Sequence, residues 1–517
     1  MLSLAVIGPG AAGAALRDAA ERAGVPTVAT VDADIVVEAV AERLDVKRAV
    51  LSWAHEEARP DAVLVTTTAV LRLADVAAGC GRPSRLVAVH PPEPGSSTVE
   101  VVLPADAPGS VRRVVEELTG RLGLAAVELP DRPGLVSGEL LLGYLNAAVR
   151  MVASGYASAE AVDRAMTLGC GLPRGPFAQL EVLGVDAVRD GLVALYEQTG
   201  DPVFRPAAAL NGMVTMRRFD SPVPRTDLDE LPIHGIEKVG VVGSGTMATG
   251  IAEVCLRAGR PVELVARSQD RAAAAREAIA GSLDRAVRRG RLDAAERDAA
   301  LARLTVHEKL TGVAGCDAVV EAVVEDAAVK GRIFAELDAL CPDAALLATT
   351  TSSLSVLGCA AVTGRAERVL GLHFFNPAPV MRLVEVATTP RTAPGVVATA
   401  EAFCRALGKE PVRCGDRAGF IVNALLLPYL NRAARLLGSG YADAERIDTV
   451  MRDGCGYPMG PLRLLDTIGL DVCAAILTSL RDGFADEEFA PAPALRDLLA
   501  AGQLGRKSGA GFHRHDR

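Results

Sequence analysis

His373 and Glu385 are the two titratable residues whose spacing most directly indicates chemistry. An imidazole titrates near neutral pH, so His373 can take a proton from a hydroxyl group and return it. Glu385 follows twelve residues later in a run that predicts the next strand, and its carboxylate could accept the other ring N–H. Such a pair suits the oxidation of a secondary alcohol, in which a base removes the hydroxyl proton while hydride leaves the carbon.

Two uncharged polar residues are candidates for holding the reacting oxygen atoms. Ser352 and Asn423 carry a hydroxyl group and a carboxamide, which can orient a hydroxyl or carbonyl oxygen. Hydrogen bonds from such groups stabilise the partial negative charge that develops on oxygen during the reaction. We therefore treat both residues as catalytic candidates.

A glycine-rich turn between a predicted strand and a predicted helix indicates a dinucleotide site. Gly243 and Gly245 follow the apolar run 239–242, and Thr246 and Met247 open the helical pattern. A turn of this kind aims backbone N–H groups and the positive end of the helix at a pyrophosphate.

The second predicted strand bears on which dinucleotide binds. It ends in Ala266 and Arg267, where an acidic residue would normally hold the ribose hydroxyls. Because that carboxylate is missing and Arg267 is adjacent, the predicted site is also compatible with a ribose 2′-phosphate. The sequence predicts NAD and leaves NADP as an alternative.

The chain contains one pattern twice, because residues 130–190 align with residues 415–475 at a constant offset of 285. Each copy alternates apolar runs with helical patterns, typical of a parallel sheet covered by helices, and then becomes helical throughout. We predict an α/β plus all-α fold with two tandem copies of a Rossmann-like domain followed by a helical domain, the first Rossmann copy being truncated. The predicted segments are a degenerate Rossmann-like domain over 1–130, a helical domain over 131–216, a linker over 217–235, a nucleotide-binding Rossmann domain over 236–416 and a helical domain over 417–517.

Composition limits the classes of partner. The 517 residues carry a formal net charge of −9, which argues against a general nucleic-acid or anionic-membrane surface. The ten cysteines are scattered and form no metal-type cluster with histidine, which is typical of reduced thiols in a cytosolic protein. The chain enters a strand-like run at once and has no 18-residue apolar run, so we expect a cytoplasmic protein without signal peptide, membrane span, bound metal or nucleic-acid partner.

Five ordered motifs resemble those of the L-3-hydroxyacyl-CoA dehydrogenases. They are TTSSL at 350–354, GLHFFNP at 371–377, LVEV at 383–386, GFIVN at 419–423 and GYPMGP at 456–461. The resemblance covers residues 236–513 and, more faintly, the first copy. It implies that the helical domains are of this family's C-terminal type.

The resemblance also implies an activity and a set of site residues. The implied activity is the NAD(P)-dependent interconversion of an (S)-3-hydroxyacyl-CoA, such as 3-hydroxybutyryl-CoA, and a 3-oxoacyl-CoA, with His373 and Glu385 as the catalytic dyad. Glu325, Lys330, Asn376 and Lys507 resemble residues that line the dinucleotide site, and Ser282 and Arg289 fall where the family contacts coenzyme A. Arg289 lies in the basic stretch 285–291, which a solvated helix face would explain about as well as phosphate binding.

The first copy lacks much of this machinery. His90 and Glu100 stand at the two dyad positions, so the dyad itself is expected to survive, but Ala69 and Gly138 replace the two polar positioning residues. The segment that should contact coenzyme A is absent. We predict that this copy is catalytically silent and that its helical domain pairs with the second one as an internal pseudo-dimer. Further homo-oligomerisation stays open.

Two other functions remain alternatives. A dehydrogenase of a free hydroxy acid or sugar acid, such as gulonate, would leave the arginines of 285–291 as plain surface. A non-catalytic binding or scaffold protein is suggested by Ala248, Ala266 and Thr350, which depart from the expected pattern, and by the degenerate first copy. The intact set of Ser352, Asn423 and the dyad argues against the scaffold.

Overall fold

The computed structural model describes residues 2–212 and 234–515, so most of the predicted linker at 217–235 lies outside the described residues. Within 2–212, seven strands form one sheet: β1 (Leu4–Ile7), β2 (Thr27–Val28), β3 (Ile35–Glu38), β4 (Val63–Thr66), β5 (Leu86–His90), β6 (Thr98–Val102) and β7 (Ala125–Glu128). Their order is β2-β1-β3-β4-β5-β6-β7, and all neighbours are parallel except β5 and β6. The helices of this domain are α1 (Ala11–Arg22), α2 (Leu44–Glu57), α3 (Leu73–Ala77) and α4 (Gly109–Arg121).

A helical domain follows the first sheet. Its helices are α5 (Ser137–Ala153), α6 (Ala159–Cys170), α7 (Pro176–Leu183) and α8 (Val185–Thr199). Helix α5 is apolar almost all round and buried along most of its length, so it forms the centre of this domain.

The second copy begins with a larger sheet. Within 234–515, eight strands form it: β8 (Val239–Val242), β9 (Val262–Val265), β10 (Leu304–His307), β11 (Ala318–Glu321), β12 (Leu346–Thr349), β13 (Val369–Phe374), β14 (Leu383–Thr388) and β15 (Glu410–Gly415). The order is β10-β9-β8-β11-β12-β13-β14-β15, with one antiparallel pair, β13 and β14. The accompanying helices are α9 (Thr246–Arg257), α10 (Gln269–Arg288), α11 (Ala294–Ala302), α12 (Ala327–Leu340), α13 (Val356–Ala360) and α14 (Pro394–Ala406).

The second helical domain repeats the first. It contains α15 (Val422–Gly438), α16 (Ala444–Thr449), a π-helical segment (Val450–Gly454), α17 (Pro461–Ile468), α18 (Leu470–Phe484) and α19 (Pro493–Ala500). The two sheets share their strand order, but α10, α11 and β10 have no counterpart among the described residues of the first copy. The predicted tandem fold with a truncated first Rossmann-like domain is confirmed.

The two helical domains contact each other reciprocally. Helices α5 and α15 pack together, and the rings of Tyr144 and Tyr429, which are 285 positions apart, lie 6.0 Å from each other. The Arg417 guanidinium lies 3.9 Å from the ring of Tyr156, and Arg132 lies 5.2 Å from the ring of Tyr441, at the corresponding positions of the opposite copies. One continuous set of buried apolar side chains runs through both domains. A contact repeated with the two copies exchanged is what an approximate two-fold relationship produces.

Candidate active site

His373 and Glu385 face each other on neighbouring antiparallel strands, β13 and β14. The imidazole Nδ1 lies 2.7 Å from Glu385 Oε2, and both side chains are buried. The other carboxylate oxygen, Oε1, accepts hydrogen bonds from the N–H groups of Ile421 and Val422 at the start of α15. Because a carboxylate only accepts, Nδ1 carries the hydrogen and Nε2 is left as the basic nitrogen.

The side chains around His373 hold its ring in place. Ser352 Oγ lies 3.1 Å from Nε2, the nitrogen that faces away from the carboxylate. The rings of Phe375 and Phe420 lie 4.6 and 5.5 Å from the imidazole. The basic nitrogen therefore faces a serine hydroxyl, while two aromatic rings lie beside the imidazole.

Asn423 lies in the first turn of α15, directly after the Val422 N–H that binds Glu385. Its side chain is almost buried, and within the described residues its carboxamide has no hydrogen-bond partner in the protein. A carboxamide in this position is free to bind a substrate oxygen.

The turn that carries Ser352 is held by Glu325. Its Oε1 accepts hydrogen bonds from the backbone N–H groups of Ser352 and Ser353, at 2.8 and 3.1 Å, and from the hydroxyl of Thr351. Burial opposes ionisation of Glu325, but these hydrogen bonds and the nearby Lys330 outweigh it, so the pKa of this carboxyl is lowered. Glu325 is therefore a carboxylate, and its hydrogen bonds fix the position of Ser352.

Lys330 is fully buried in α12 and is bound within the protein. Its Nζ lies 2.9 Å from both carboxylate oxygens of Glu321 and 3.4 Å from Glu325 Oε2. Thr349 also donates to Glu321, at 2.8 Å. Sequence reasoning missed Glu321 and Thr349, although the pentapeptide VVEAV occurs at both 36–40 and 319–323.

The same ion pair is present in the first copy, where Lys47 Nζ lies 3.0 Å from Glu38 and Thr66 donates to that carboxylate. The pair is buried in both copies. Its presence in both indicates that it supports the sheet rather than a reaction.

The glycine turn fits a dinucleotide pyrophosphate. Gly243 has φ +135°, and a Cβ there would lie 2.4 Å from the Ala322 carbonyl oxygen, so only glycine is compatible with this turn. Gly245 precedes α9 without any side-chain cap, and a Cβ there would meet no atom within 4 Å. Thr246 is exposed and Met247 half-buried at the open start of the helix. Free backbone N–H groups at a helix start match a phosphate.

The other predicted cofactor residues lie apart from the dyad's hydrogen bonds. Arg267 is exposed after β9, and within the described residues no carboxylate pairs with it. Asn376 is exposed just after β13. Lys507 instead binds Asp471 at the start of α18, with Nζ 2.6 Å from Oδ2.

Ser282 and Arg289 lie at the α10–α11 hairpin that the first copy lacks. Ser282 is half-buried, and Arg289 is exposed where α10 ends. Within the part of the chain that the structure describes, no acidic side chain pairs with this arginine or with its basic neighbours Arg285, Arg288 and Arg291. The hairpin therefore presents a cluster of unpaired positive charge.

The first copy places its two dyad residues opposite each other in the strand register, yet they do not bind each other. Glu100 Oε1 accepts from the N–H groups of Val136 and Ser137, and Oε2 accepts from the Ser137 hydroxyl instead of an imidazole. His90 Nδ1 lies 3.3 Å from the Thr67 carbonyl oxygen. The expectation that the dyad survives in this copy is wrong, because Ser137 replaces the aliphatic Val422 and binds the carboxylate.

The glycine turn of the first copy is closed. Gly10 N–H donates to the Ala39 carbonyl oxygen at 2.9 Å, and a Cβ on Gly10 would lie 2.5 Å from that oxygen. Gly245, at the same place in the second copy, has open space around it. The turn that could hold a pyrophosphate in one copy is packed against the sheet in the other.

Comparison with known proteins identifies both halves. Residues 23–132 and 238–417 match the family model of the 3-hydroxyacyl-CoA dehydrogenase NAD binding domain. Residues 134–225 and 419–515 match that of the 3-hydroxyacyl-CoA dehydrogenase C-terminal domain. Both models occur twice, in the order that the repeat predicts.

Individual relatives cover about half of the chain. A 3-hydroxybutyryl-CoA dehydrogenase of Mycobacterium tuberculosis is 47% identical over 280 residues, 54% of this chain and 98% of its own. One of Bradyrhizobium diazoefficiens is 42% identical over 278 residues, 54% of this chain and 95% of its own.

Two solved structures are also similar to about half of this chain. The crystal structure of M. tuberculosis FadB2 has a TM-score of 0.54 at 46% identity and covers 55% of this chain and 100% of that one. The (S)-3-hydroxybutyryl-CoA dehydrogenase PaaH1 of Ralstonia eutropha has a TM-score of 0.53 at 40% identity with the same coverages. Among the described residues, no helix has the length and apolar character that a membrane crossing requires.

Proposed function

The chain belongs to the 3-hydroxyacyl-CoA dehydrogenase family, and we propose that its second copy oxidises a short-chain (S)-3-hydroxyacyl-CoA, such as 3-hydroxybutyryl-CoA, to the 3-oxoacyl-CoA and catalyses the reverse reaction. The observation that carries the proposal is the pair of contacts made by the His373 imidazole. Its Nδ1 hydrogen-bonds to Glu385, and its Nε2 lies within hydrogen-bond distance of the Ser352 hydroxyl. Relatives at 40–47% identity that are 3-hydroxybutyryl-CoA dehydrogenases support the choice of substrate.

In this mechanism His373 is the general base. Its Nε2 takes the proton of the substrate 3-hydroxyl group, which makes the imidazole positively charged. Glu385, 2.7 Å away on the other nitrogen, stabilises that charge and keeps the hydrogen on Nδ1 before the reaction. The buried Glu385 is itself fixed by two backbone N–H groups, so the base is pre-oriented. In the reverse direction His373 returns the proton to the ketone oxygen.

Two polar groups hold the substrate oxygens. Ser352 Oγ lies 3.1 Å from the basic nitrogen and is therefore within reach of the same hydroxyl group that His373 deprotonates. Asn423, whose carboxamide has no partner within the described protein, binds the ketone or thioester oxygen on which negative charge develops.

NAD is the cofactor, and when bound it supplies the hydride acceptor. Gly243 and Gly245 give the pyrophosphate its space, and the N–H groups of Thr246 and Met247 at the start of α9 bind it. Arg267, which follows β9, is proposed as the contact at the ribose end of the cofactor. Asn376 and Lys507 are proposed as outer contacts of the same cofactor, while Lys330 acts on the site only by holding Glu325.

Coenzyme A binds along the α10–α11 hairpin in this proposal. Ser282 and Arg289 contact its phosphates and adenine moiety, aided by the unpaired arginines on the same hairpin. The absence of this hairpin from the described first copy fits a silent copy that needs no coenzyme A.

One assay tests the proposal against both alternatives. Purified protein is mixed with NADH and either acetoacetyl-CoA or free acetoacetate, and the loss of NADH absorbance is followed for wild type and His373→Ala. NADPH in a parallel series tests cofactor choice. Turnover of the thioester alone, abolished in His373→Ala, is expected. Turnover of the free acid would favour the hydroxy-acid dehydrogenase, and no turnover with any pair would favour a binding protein.

We further propose that the first copy is a tethered structural partner, forming an internal pseudo-dimer with domain boundaries near 130, 216, 235 and 416. The packing of α5 on α15 and the reciprocal Arg–Tyr contacts support this role. A fragment of residues 233–517 is expected to dimerise through its exposed α15 or to lose activity. A fully active monomeric fragment would contradict the proposal.

A cytoplasmic location is proposed from the thiols. All ten cysteines are free, and nine of them are buried, which suits a reducing compartment.

A further inference from the structure

The first copy contains a cavity of about 410 Å³ at the place that corresponds to the active site. Ala69, His90 and Gly138 line it, and these residues align with Ser352, His373 and Asn423 of the second copy. A volume of this size lies within the range of small-molecule sites. The first copy therefore has a cavity at this place, although two of the three corresponding polar residues are replaced.

The changes make the cavity apolar. Alanine and glycine at positions 69 and 138 remove a hydroxyl and a carboxamide from its wall. Leu141, Leu142 and Val188 supply further apolar surface from α5 and α8. Such walls favour a ligand that is largely hydrocarbon.

Charge excludes an anionic ligand. None of the described residues that line the cavity is a lysine or an arginine, whereas four acidic residues line it: Glu42, Glu93, Asp186 and Asp190. Each carboxylate already has a cation nearby: Lys47 lies 3.6 Å from Glu42, Arg174 lies 2.7 Å from Glu93, and Arg189 lies 2.7 Å from Asp186 and 2.9 Å from Asp190. The negative charge of these carboxylates would repel an anionic ligand. A cationic ligand would find every carboxylate on the described cavity wall already paired. The ligand is therefore uncharged.

His90 supplies a hydrogen-bond acceptor that faces the cavity without a partner in the described protein. Its Nδ1 lies 3.3 Å from the Thr67 carbonyl oxygen, which can only accept, so the hydrogen is on Nδ1 and Nε2 is an acceptor. Within the described residues Nε2 has no partner, because Ala69 stands where a serine hydroxyl would reach it. Burial lowers the pKa of His90 to about 4, which keeps the ring neutral.

The ligand is not the cofactor or the thioester of the second copy. Both of those molecules are anions, and the described wall of the cavity carries carboxylates and no lysine or arginine. We propose that this cavity binds an uncharged, mainly apolar small molecule with a hydroxyl group, whose hydrogen is donated to His90 Nε2.

The test uses the full-length protein without cofactor and three probes that share a six-membered carbon ring and differ in their polar group: cyclohexanol, cyclohexanone and cyclohexanecarboxylate. Cyclohexanone cannot donate a hydrogen bond, and the carboxylate is an anion. Titrations followed by ligand-observed NMR are expected to give a dissociation constant for the alcohol about tenfold below that of the ketone, the value of one hydrogen bond. His90→Phe should remove this difference.

Matched variants locate the site. Ala69→Leu fills the first cavity and should weaken alcohol binding at least about tenfold while acetoacetyl-CoA reduction is retained. Ser352→Leu fills the equivalent place in the second copy and should leave the binding unchanged. If Ala69→Leu does not fold, Ala187→Trp at the exposed rim serves instead. Loss of binding in Ser352→Leu alone, equal binding of alcohol and ketone, stronger binding of the carboxylate, or no binding at all would overturn the proposal.

Discussion

Tyr156 of the first copy donates its hydroxyl hydrogen to the carbonyl oxygen of Gly415 in the second copy, at 2.7 Å. The next residue, Asp416, accepts hydrogen bonds from the N–H groups of Val356 and Leu357 at the start of α13. Helix α13 follows the turn that carries Ser352. A side chain of the first copy is therefore connected to the candidate catalytic turn through one carboxylate.

Removing this hydroxyl is expected to weaken the interface. Tyr156→Phe should cost about 1 kcal/mol, the value of one net hydrogen bond, while the ring stays against Arg417. The control is Tyr441→Phe at the corresponding position, because the buried Tyr441 hydroxyl has no partner in the described part of the chain and its loss should cost nothing. Thermal unfolding measures both, and equal melting temperatures of the two variants would contradict the prediction.

The carboxylate partner of the base is tested by Glu385→Gln. We expect kcat to fall at least about a hundredfold with little change in KM, because the imidazolium loses its stabilising charge. The pH profile of kcat should also shift, which a merely structural defect would not produce. Glu100→Gln, at the equivalent position of the first copy, should leave turnover and its profile unchanged. A similar loss in both variants would show that the effect is not specific to the dyad.

The oxygen-binding role of Ser352 and Asn423 is tested by giving them the residues of the first copy. Ser352→Ala and Asn423→Gly should each lower kcat by about 10²-fold, the usual effect of removing one such hydrogen-bond donor. The reverse change, Gly138→Asn, should destabilise the protein, since a Cβ at Gly138 would lie 2.7 Å from the Ala69 carbonyl oxygen. Unchanged steady-state kcat in both forward variants would remove these residues from the mechanism.

If coenzyme A binds along the α10–α11 hairpin, two arginines of this hairpin should differ in their effect on the KM for acetoacetyl-CoA. Arg289→Ala should raise the KM for acetoacetyl-CoA about fivefold at low ionic strength and less at high salt, because an exposed charge is screened. Arg297→Ala should not, since Arg297 already pairs with Asp284 and Asp298. The KM for NADH is expected to stay constant in both. A KM effect of equal size in the two variants would indicate a general change of the hairpin.

His90 should make stability depend on pH. Burial lowers its pKa from 6.5 to about 4, so between these values the unfolded chain binds more protons than the folded one. The stability gained from the neutral ring is present above pH 6.5 and is lost as pH falls towards 4. Melting temperatures measured from pH 7 to pH 4.5 should fall less steeply for His90→Phe than for wild type. Parallel curves would show that folding does not lower the pKa of His90.

The sequence predicted the fold and the central residues because their signals are local or repeated. Ordered motifs identify His373 and Glu385, and the offset of 285 identifies the tandem domains. What it could not predict depends on distant contacts. Lys330 was assigned to the cofactor site, but the packing of α12 directs its ammonium group to Glu321. The capture of Glu100 by Ser137 joins residues 37 positions apart and cannot be read from either residue alone.

The contact between α5 and α15 has a consequence for concentration. Two separate subunits dissociate on dilution, because their association is bimolecular. Here both helices belong to one chain, so the local concentration of each partner is set by the connecting segment and not by the amount of protein. Specific activity should therefore stay constant on dilution to levels at which a two-chain enzyme would fall apart. Under the proposed pairing, one chain always carries one first copy for each second copy.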